Sequence, residues 1–173
     1  NWEHWCGVDI AHLREMYERH GWRLLVNETA VVESAGRRIA VTGLDDLEGT
    51  PDLPRALHGI APADGHVLIA HSPAWRDRME TDARGTGADG AVPGGGVDLA
   101  SYAIDVVLSG HSHGGQVAAF GWAPMLPPGV GRYVRGWFRD MQPPLFVSRG
   151  IGTSVLPVRL GSPPEVAFHR LWA

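Results

Sequence analysis

A chain of 173 residues, 44% hydrophobic and 20% charged, is one ordinary globular domain with enough length to bury a core. Its net charge of -4 provides no basic surplus, so it carries no signature of a nucleic-acid partner held by phosphate neutralisation. All fifteen basic residues are arginines, which excludes P-loop, Schiff-base and general-base lysines, and the lone Cys6 excludes disulfide and thiolate-cluster chemistry. No run approaches the length of a membrane-spanning helix, and the opening NWEHWCG shows no leader pattern, which leaves the location open between cytoplasm and membrane surface.

In chain order, residues 8–20 (VDIAHLREMYERH) carry apolar side chains at helical spacing, with Asp9 as N-cap and Gly21 as stop, and predict an amphipathic helix. WRLLV (22–26), TAVVES (29–34) and RRIAVTGL (37–44) predict strands, the last two joined as a hairpin across Ala35 and Gly36. DLPRALHGI (52–60) predicts a short helix with proline in its first turn, and GHVLIAHSP (65–73) a strand that stops at His71. Residues 82–96, DARGTGADGAVPGGG, predict an exposed flexible loop. IDVVLSG (104–110) predicts a buried strand; further strands are expected in QVAAFG (116–121), RYVRGWF (132–138), PLFVSRG (144–150) and PEVAFHRLW (164–172). Strands alternating with helices predict an α/β layered fold.

The stretch SGHSHGGQV (109–117) follows one of these buried strands. His111 and His113 stand at i and i+2, on one side of an extended segment, with Gly110, Gly114 and Gly115 permitting close approach. A bare His-x-His fits two readings, hydrogen-bonded loop histidines or a site for zinc, manganese or iron. His71 repeats the arrangement at a second strand end, as a metal site assembled from neighbouring loops requires. Other features are ambiguous. Asp45 and Asp46 follow a strand, where they line a cleft or form a solvated turn. Arg149, before a glycine, suits a phosphate by bidentate contact or a structural ion pair. Trp122, Met125 and Leu126 lie on a proline-rich apolar loop that either packs or meets an apolar substrate or lipid surface.

NWEHW (1–5), LIAHSP (68–73), VVLSGHSHGGQV (106–117) and the tail YVRGWF to LFVSRGIGTSVLPVRLGSPPEV (133–166) together resemble the calcineurin-like metallophosphoesterases, in their bacterial GHSHGGQ branch. The resemblance covers nearly the whole of residues 1–173. It implies a four-layer α/β/β/α sandwich with a dinuclear centre of two divalent ions (Mn, Zn or Fe) at the strand ends. It assigns Asn1, His71 and His111 to one metal and His113 to the other. Glu3 matches the acidic residue of the asparagine motif, whereas Trp2 stands where the family has the histidine that protonates the leaving oxygen. His4, two residues on, is the candidate acid, and Arg149 the candidate phosphate contact.

The family's upstream Asp-x-His and Gly-Asp motifs have no counterpart in this chain, which is therefore expected to form the C-terminal half of the domain and to bind at most one metal without its N-terminal half. The implied activity is metal-dependent hydrolysis of a phosphate ester, a phosphodiester or pyrophosphate, on a phosphorylated small-molecule or lipid-linked substrate, with peripheral membrane contact an option. The alternative expectation is a non-catalytic fragment or binding module retaining one metal or none.

Overall fold

The computed structural model of the chain describes residues 1–77, 99–119, 122–124 and 126–171; the glycine-rich stretch 82–96 and Met125 lie outside the described residues. A single turn of helix, α1 (Trp2–Trp5), is capped by the Asn1 side chain. Helix α2 (Ile10–Arg19) starts where predicted, because the Asp9 carboxylate accepts the Ala11 amide at 2.8 Å. Strands β1 (Glu28–Ser34) and β2 (Arg37–Gly43) form an antiparallel hairpin, with Ala35 and Gly36 both left-handed at φ 51 and 75, the turn whose twist suits a two-residue loop. Helix α3 (Leu53–Leu57) has proline in its first turn and Asp52 as cap. The remaining strands are β3 (Gly65–Ile69), β4 (Val106–Ser109), β5 (Gly136–Phe138) and β6 (Leu145–Val147).

These six strands make one mixed sheet in the order β1-β2-β3-β4-β6-β5. Neighbours β2, β3, β4 and β6 run parallel, and the edge strands β1 and β5 are antiparallel to them. The α/β class is therefore observed. Register places Leu68, Val107 and Leu145 side by side on one face, where Leu53 and Ala56 of α3 join Trp75, Leu99, Ile104 and Tyr133 in a continuous core. Leu68, Val107 and Leu145 are fully buried, and each contributes roughly 1.5–3 kcal/mol by leaving water. The opposite face is also apolar, with Val41 beside Val67 and Val106, and Ile69 beside Leu108, Phe146 and Trp137. It is partly open among the described residues: Ile69 is 45% and Trp137 42% exposed, whereas Val106 and Phe146 are buried.

Three predicted strands differ. Residues 22–26 are irregular, with Trp22 exposed and the Leu24 carbonyl taken by the Arg14 guanidinium at 2.8 Å, so no ladder forms there. Among the described residues of 116–121 only isolated bridges occur, Val117 to Leu160 and Ala119 to Trp122, because Gln116 at φ 43 turns the chain out of an extended path. The segment 164–171 has the alternation of a strand but no ladder. Its His169 ring instead meets Phe146 and Trp137, at centroid distances of 4.7 and 5.5 Å, and Phe168 stays in solvent.

Candidate functional site

Because β2, β3, β4 and β6 are parallel, the loops that leave them emerge at one edge, where open α/β sheets bind ligands. Asp45 and Asp46 follow β2, His71 follows β3, His111 and His113 follow β4, and Arg149 follows β6. Helix α1 brings Asn1 and His4 over this edge. The result is a cleft of about 510 Å³ whose walls include Asn1, Glu3, His4, Asp45, Asp46, His71, His111 and His113.

At its floor, His111 Nδ1 lies 3.3 Å from His71 Nε2 and 3.2 Å from Asn1 Nδ2. His111 is buried, and its Nε2 donates to the Pro128 carbonyl at 2.5 Å. That bond fixes the tautomer and leaves the Nδ1 lone pair facing His71 and Asn1, as in histidines that hold a metal through one nitrogen and a carbonyl through the other. His113 uses its Nδ1 on the Gly152 carbonyl at 3.2 Å, which leaves Nε2 as its free position.

His71 and His111 have the spacing of two ligands of a transition-metal ion. Two donors about 2.0–2.1 Å from a tetrahedral ion stand roughly 3.3–3.4 Å apart, the spacing found here. The Asn1 oxygen, the ligating atom of an amide, accepts from the Trp2 amide at 2.9 Å and retains a second lone pair. A fuller set is not assembled: among the described residues, no three His, Cys, Asp or Glu side chains converge tightly enough to hold a metal. The surrounding protein strips solvent from the His71 ring although it opens onto the cleft, and with His111 alongside this pushes its pKa down to about 4. A neutral imidazole is the form a metal requires.

The loop carrying these histidines is strained. His111, His113 and Gln116 all sit at positive φ (65, 50 and 43), a region costly for side-chain-bearing residues and concentrated at functional sites. Gly114 has no side chain because a Cβ would overlap Arg149 and the Ser162 hydroxyl. Arg159 pins the loop by donating Nη2 to the His113 carbonyl at 3.0 Å and to that of Arg149 at 2.8 Å.

Sequence reasoning left Asp45 and Asp46 undecided, and both line the cleft. Asp46 is buried and accepts the Ser72 hydroxyl at 2.6 Å and the Glu48 amide at 3.1 Å. Burial pushes its carboxyl up, yet these bonds hold it below the usual carboxylate range. Asp45 accepts from His4 Nε2 at 2.8 Å and from the amides of Asp46 and Thr50, each at 2.9 Å. Gly49 is the residue that permits this pairing, since a Cβ there would land on Asp45 and 2.5 Å from His4 Nε2. Trp2, half exposed, stacks edge-on with Trp5. Arg149 is outside the cleft lining; its Nε and backbone amide both go to Glu165, at 2.8 and 3.2 Å. Trp122 and Leu126 are exposed, and neither lines the cleft.

Against known proteins, the chain is 28% identical over 138 residues to the uncharacterized metallophosphoesterase YkuE of Bacillus subtilis, covering 79% of this chain and 41% of the relative. It is 25% identical over 169 residues to the metallophosphoesterase YkoQ of the same organism (94% and 54%), and 26% identical over 168 residues to the phosphodiesterase YaeI of Escherichia coli (95% and 53%). Several of these curated relatives are named metallophosphoesterases, which supports the resemblance to the calcineurin-like family. The names of these relatives are those of phosphoester hydrolases. The chain spans about half the length of the curated relatives it matches. No family model matches it, and no solved structure does.

Proposed function

We propose that these residues form part of a metal-dependent phosphoesterase acting on a phosphodiester or pyrophosphate. The observation that carries this reading is that His111 Nδ1 lies 3.3 Å from His71 Nε2 and 3.2 Å from the Asn1 amide nitrogen, with the His111 tautomer set by the Pro128 carbonyl. Asn1, His71 and His111 would hold one divalent ion (Mn, Zn or Fe) and His113 would contribute to a second. Bound there, such ions neutralise phosphoryl charge and make a hydroxide nucleophile available near neutral pH. The chain's own groups divide the remaining work. The Asp46 carboxylate faces His71 and keeps negative potential beside the cations, and the strained His111–His113 loop presets ligand directions before substrate arrives. His4, held by Asp45, is the proton donor for the leaving oxygen, because the Trp2 indole has no titrating proton.

We further propose that the sheet is one of the two sheets of a four-layer sandwich, these residues forming the C-terminal half of the domain. The exposure of Ile69 and Trp137 on an otherwise apolar sheet face supports this, as does a donor set too small for two metals among the described residues. A bridging carboxylate from the other half would offset the repulsion between two cations that neutral imidazoles leave uncompensated. The second reading, a non-catalytic module with one metal or none, draws on the same small donor set. Calorimetric titration of zinc or manganese into the wild-type chain and into His71→Ala and His111→Ala tests the proposal. Binding lost in both variants supports it; wild-type affinity in both overturns it.

A further inference from the structure

A second cavity, of about 350 Å³, opens beside the candidate centre and is lined chiefly by Val117, Leu126, Pro127, Val155 and Leu156. It shares His113, Pro127 and Ser154 with the cleft, so the two are continuous. Its volume is at the lower end of the roughly 300–1,000 Å³ of small-molecule sites. Among the described residues that line it there is no Asp, Glu or Arg side chain.

The wall is deliberately held. The Gln116 amide grips residues 154–156 with three hydrogen bonds, Nε2 to the carbonyls of Ser154 (3.0 Å) and Leu156 (2.8 Å) and Oε1 from the Ser154 amide (2.7 Å). Between these anchors Val155 takes φ 65, an outlier for a β-branched residue, and its side chain is 87% exposed. Strain of this kind persists only where the surroundings enforce it and clusters at ligand clamps. Here it turns an apolar side chain towards water at the edge of the cleft, a placement that gains only when an apolar group displaces that water.

We propose that this pocket binds the apolar ester group of the substrate, an alkyl or acyl chain, while the phosphate lies in the histidine cleft. The inference rests on the phosphoesterase reading and names its substrate class. Val155, Leu156 and Leu126 contact the chain, and Gln116 is a positioning residue that holds their loop. The phosphate is directed away from the pocket, whose polar wall atoms on Gln116 are already committed to the 154–156 backbone.

The test is a titration of the chain, methyl-labelled at valine and leucine and loaded with zinc, with inorganic phosphate, butyl phosphate and decyl phosphate below its micelle-forming concentration. A fully buried methylene tightens binding about fourfold, so partial burial of the longer chain predicts at least a tenfold lower Kd for decyl than for butyl phosphate. The shifts should fall on Val117, Leu126, Val155 and Leu156. Val155→Ser and, independently, Leu126→Ser should abolish the chain-length dependence and leave binding of inorganic phosphate unchanged. A Kd independent of chain length, or shifts that map instead to Val67, Ile69 and Leu108 on the open sheet face, overturns the proposal. Decanol separates the two levels: decanol shifts in the pocket without any zinc-dependent phosphate binding support the pocket and contradict the phosphoesterase reading.

Discussion

His4 Nε2 stands 2.8 Å from Asp45 Oδ1, and a side chain at Gly49 would occupy the space between them. Asp45 is fixed in turn by the Asp46 and Thr50 amides, and its own amide donates to the buried Asn27 Oδ1 at 3.0 Å. The loop after β2 thus orients a histidine in the cleft at the end of a helix where Trp2 cannot donate a proton. Proton donation is typically worth ~10²–10⁴-fold, and it matters most for strongly basic leaving oxygens. In an active full-length polypeptide, His4→Ala and Gly49→Ala should each lower hydrolysis of an alkyl phosphodiester by about 10²-fold while changing a nitrophenyl phosphodiester by less than about tenfold. Trp2→His should raise the alkyl rate more than the aryl rate. Equal losses on both esters, or none on either, would remove side-chain acid catalysis from this corner.

Metal stoichiometry follows from the donor count. His71 and Asn1 both approach His111, and His113 stands apart with the Gly152 carbonyl, whereas tight zinc sites usually have four donors. Calorimetry on this chain should give about one tight ion, and chelation should lower its thermal midpoint by removing a ligand of the folded state alone. Two tight ions per chain would contradict this.

The pH dependence of metal-free stability is set by two histidines. His66 is lowered by burial, opposed by the Tyr102 backbone and Asp105, and His71 is pushed down to about 4. Both folded-state values are below the unfolded one of about 6.5, so the unfolded chain takes up protons first. Their contribution is complete above about pH 6.5 and is lost as pH falls through the folded values. Urea midpoints should therefore decline between about pH 7.5 and about pH 5, before carboxylates such as Asp46, whose folded value is below the usual range, begin to protonate. His66→Gln, which keeps a partner for the Thr42 hydroxyl 2.7 Å away, should flatten part of that slope. An unchanged slope in this variant would show that His66 is not one of its sources.

The open sheet face predicts association. Ile69 and Trp137 are exposed at the two ends of an apolar row whose middle, Leu108 and Phe146, is half-buried and buried, and exposed apolar groups on such a face favour association. Sedimentation of the chain should show self-association that Ile69→Lys reduces. A monodisperse wild-type monomer with a cooperative unfolding transition would count against a missing second sheet.

Elements with local signals were legible in the sequence. Asp9 announces α2, Ala35-Gly36 the hairpin, and the proline after Leu53 announces α3. His71 and His111 were legible because each ends an apolar strand. Asp45 and Asp46 were not, since paired aspartates after a strand look like any solvated turn until β2 is known to run parallel beside β3. That pairing is what brings Asp46 to Ser72 and Asp45 to His4. The partner of Arg149 was equally hidden, because Glu165 is sixteen residues further along a tail that mimics a strand without pairing as one. Val155 gave no local sign either, since its conformation is imposed by Gln116 from 38 to 40 residues away.

The central claim, that the His71, His111 and Asn1 cluster serves metal-dependent phosphoester hydrolysis, is tested most directly by phosphodiesterase assays on a polypeptide as long as the relatives. Bis-nitrophenyl phosphate turnover is followed with chelator, with manganese restored, and in His111→Ala. The account predicts turnover abolished by chelator, recovered with manganese, and reduced at least about 10²-fold in the variant even with manganese present. Turnover that survives both the chelator and His111→Ala would contradict it.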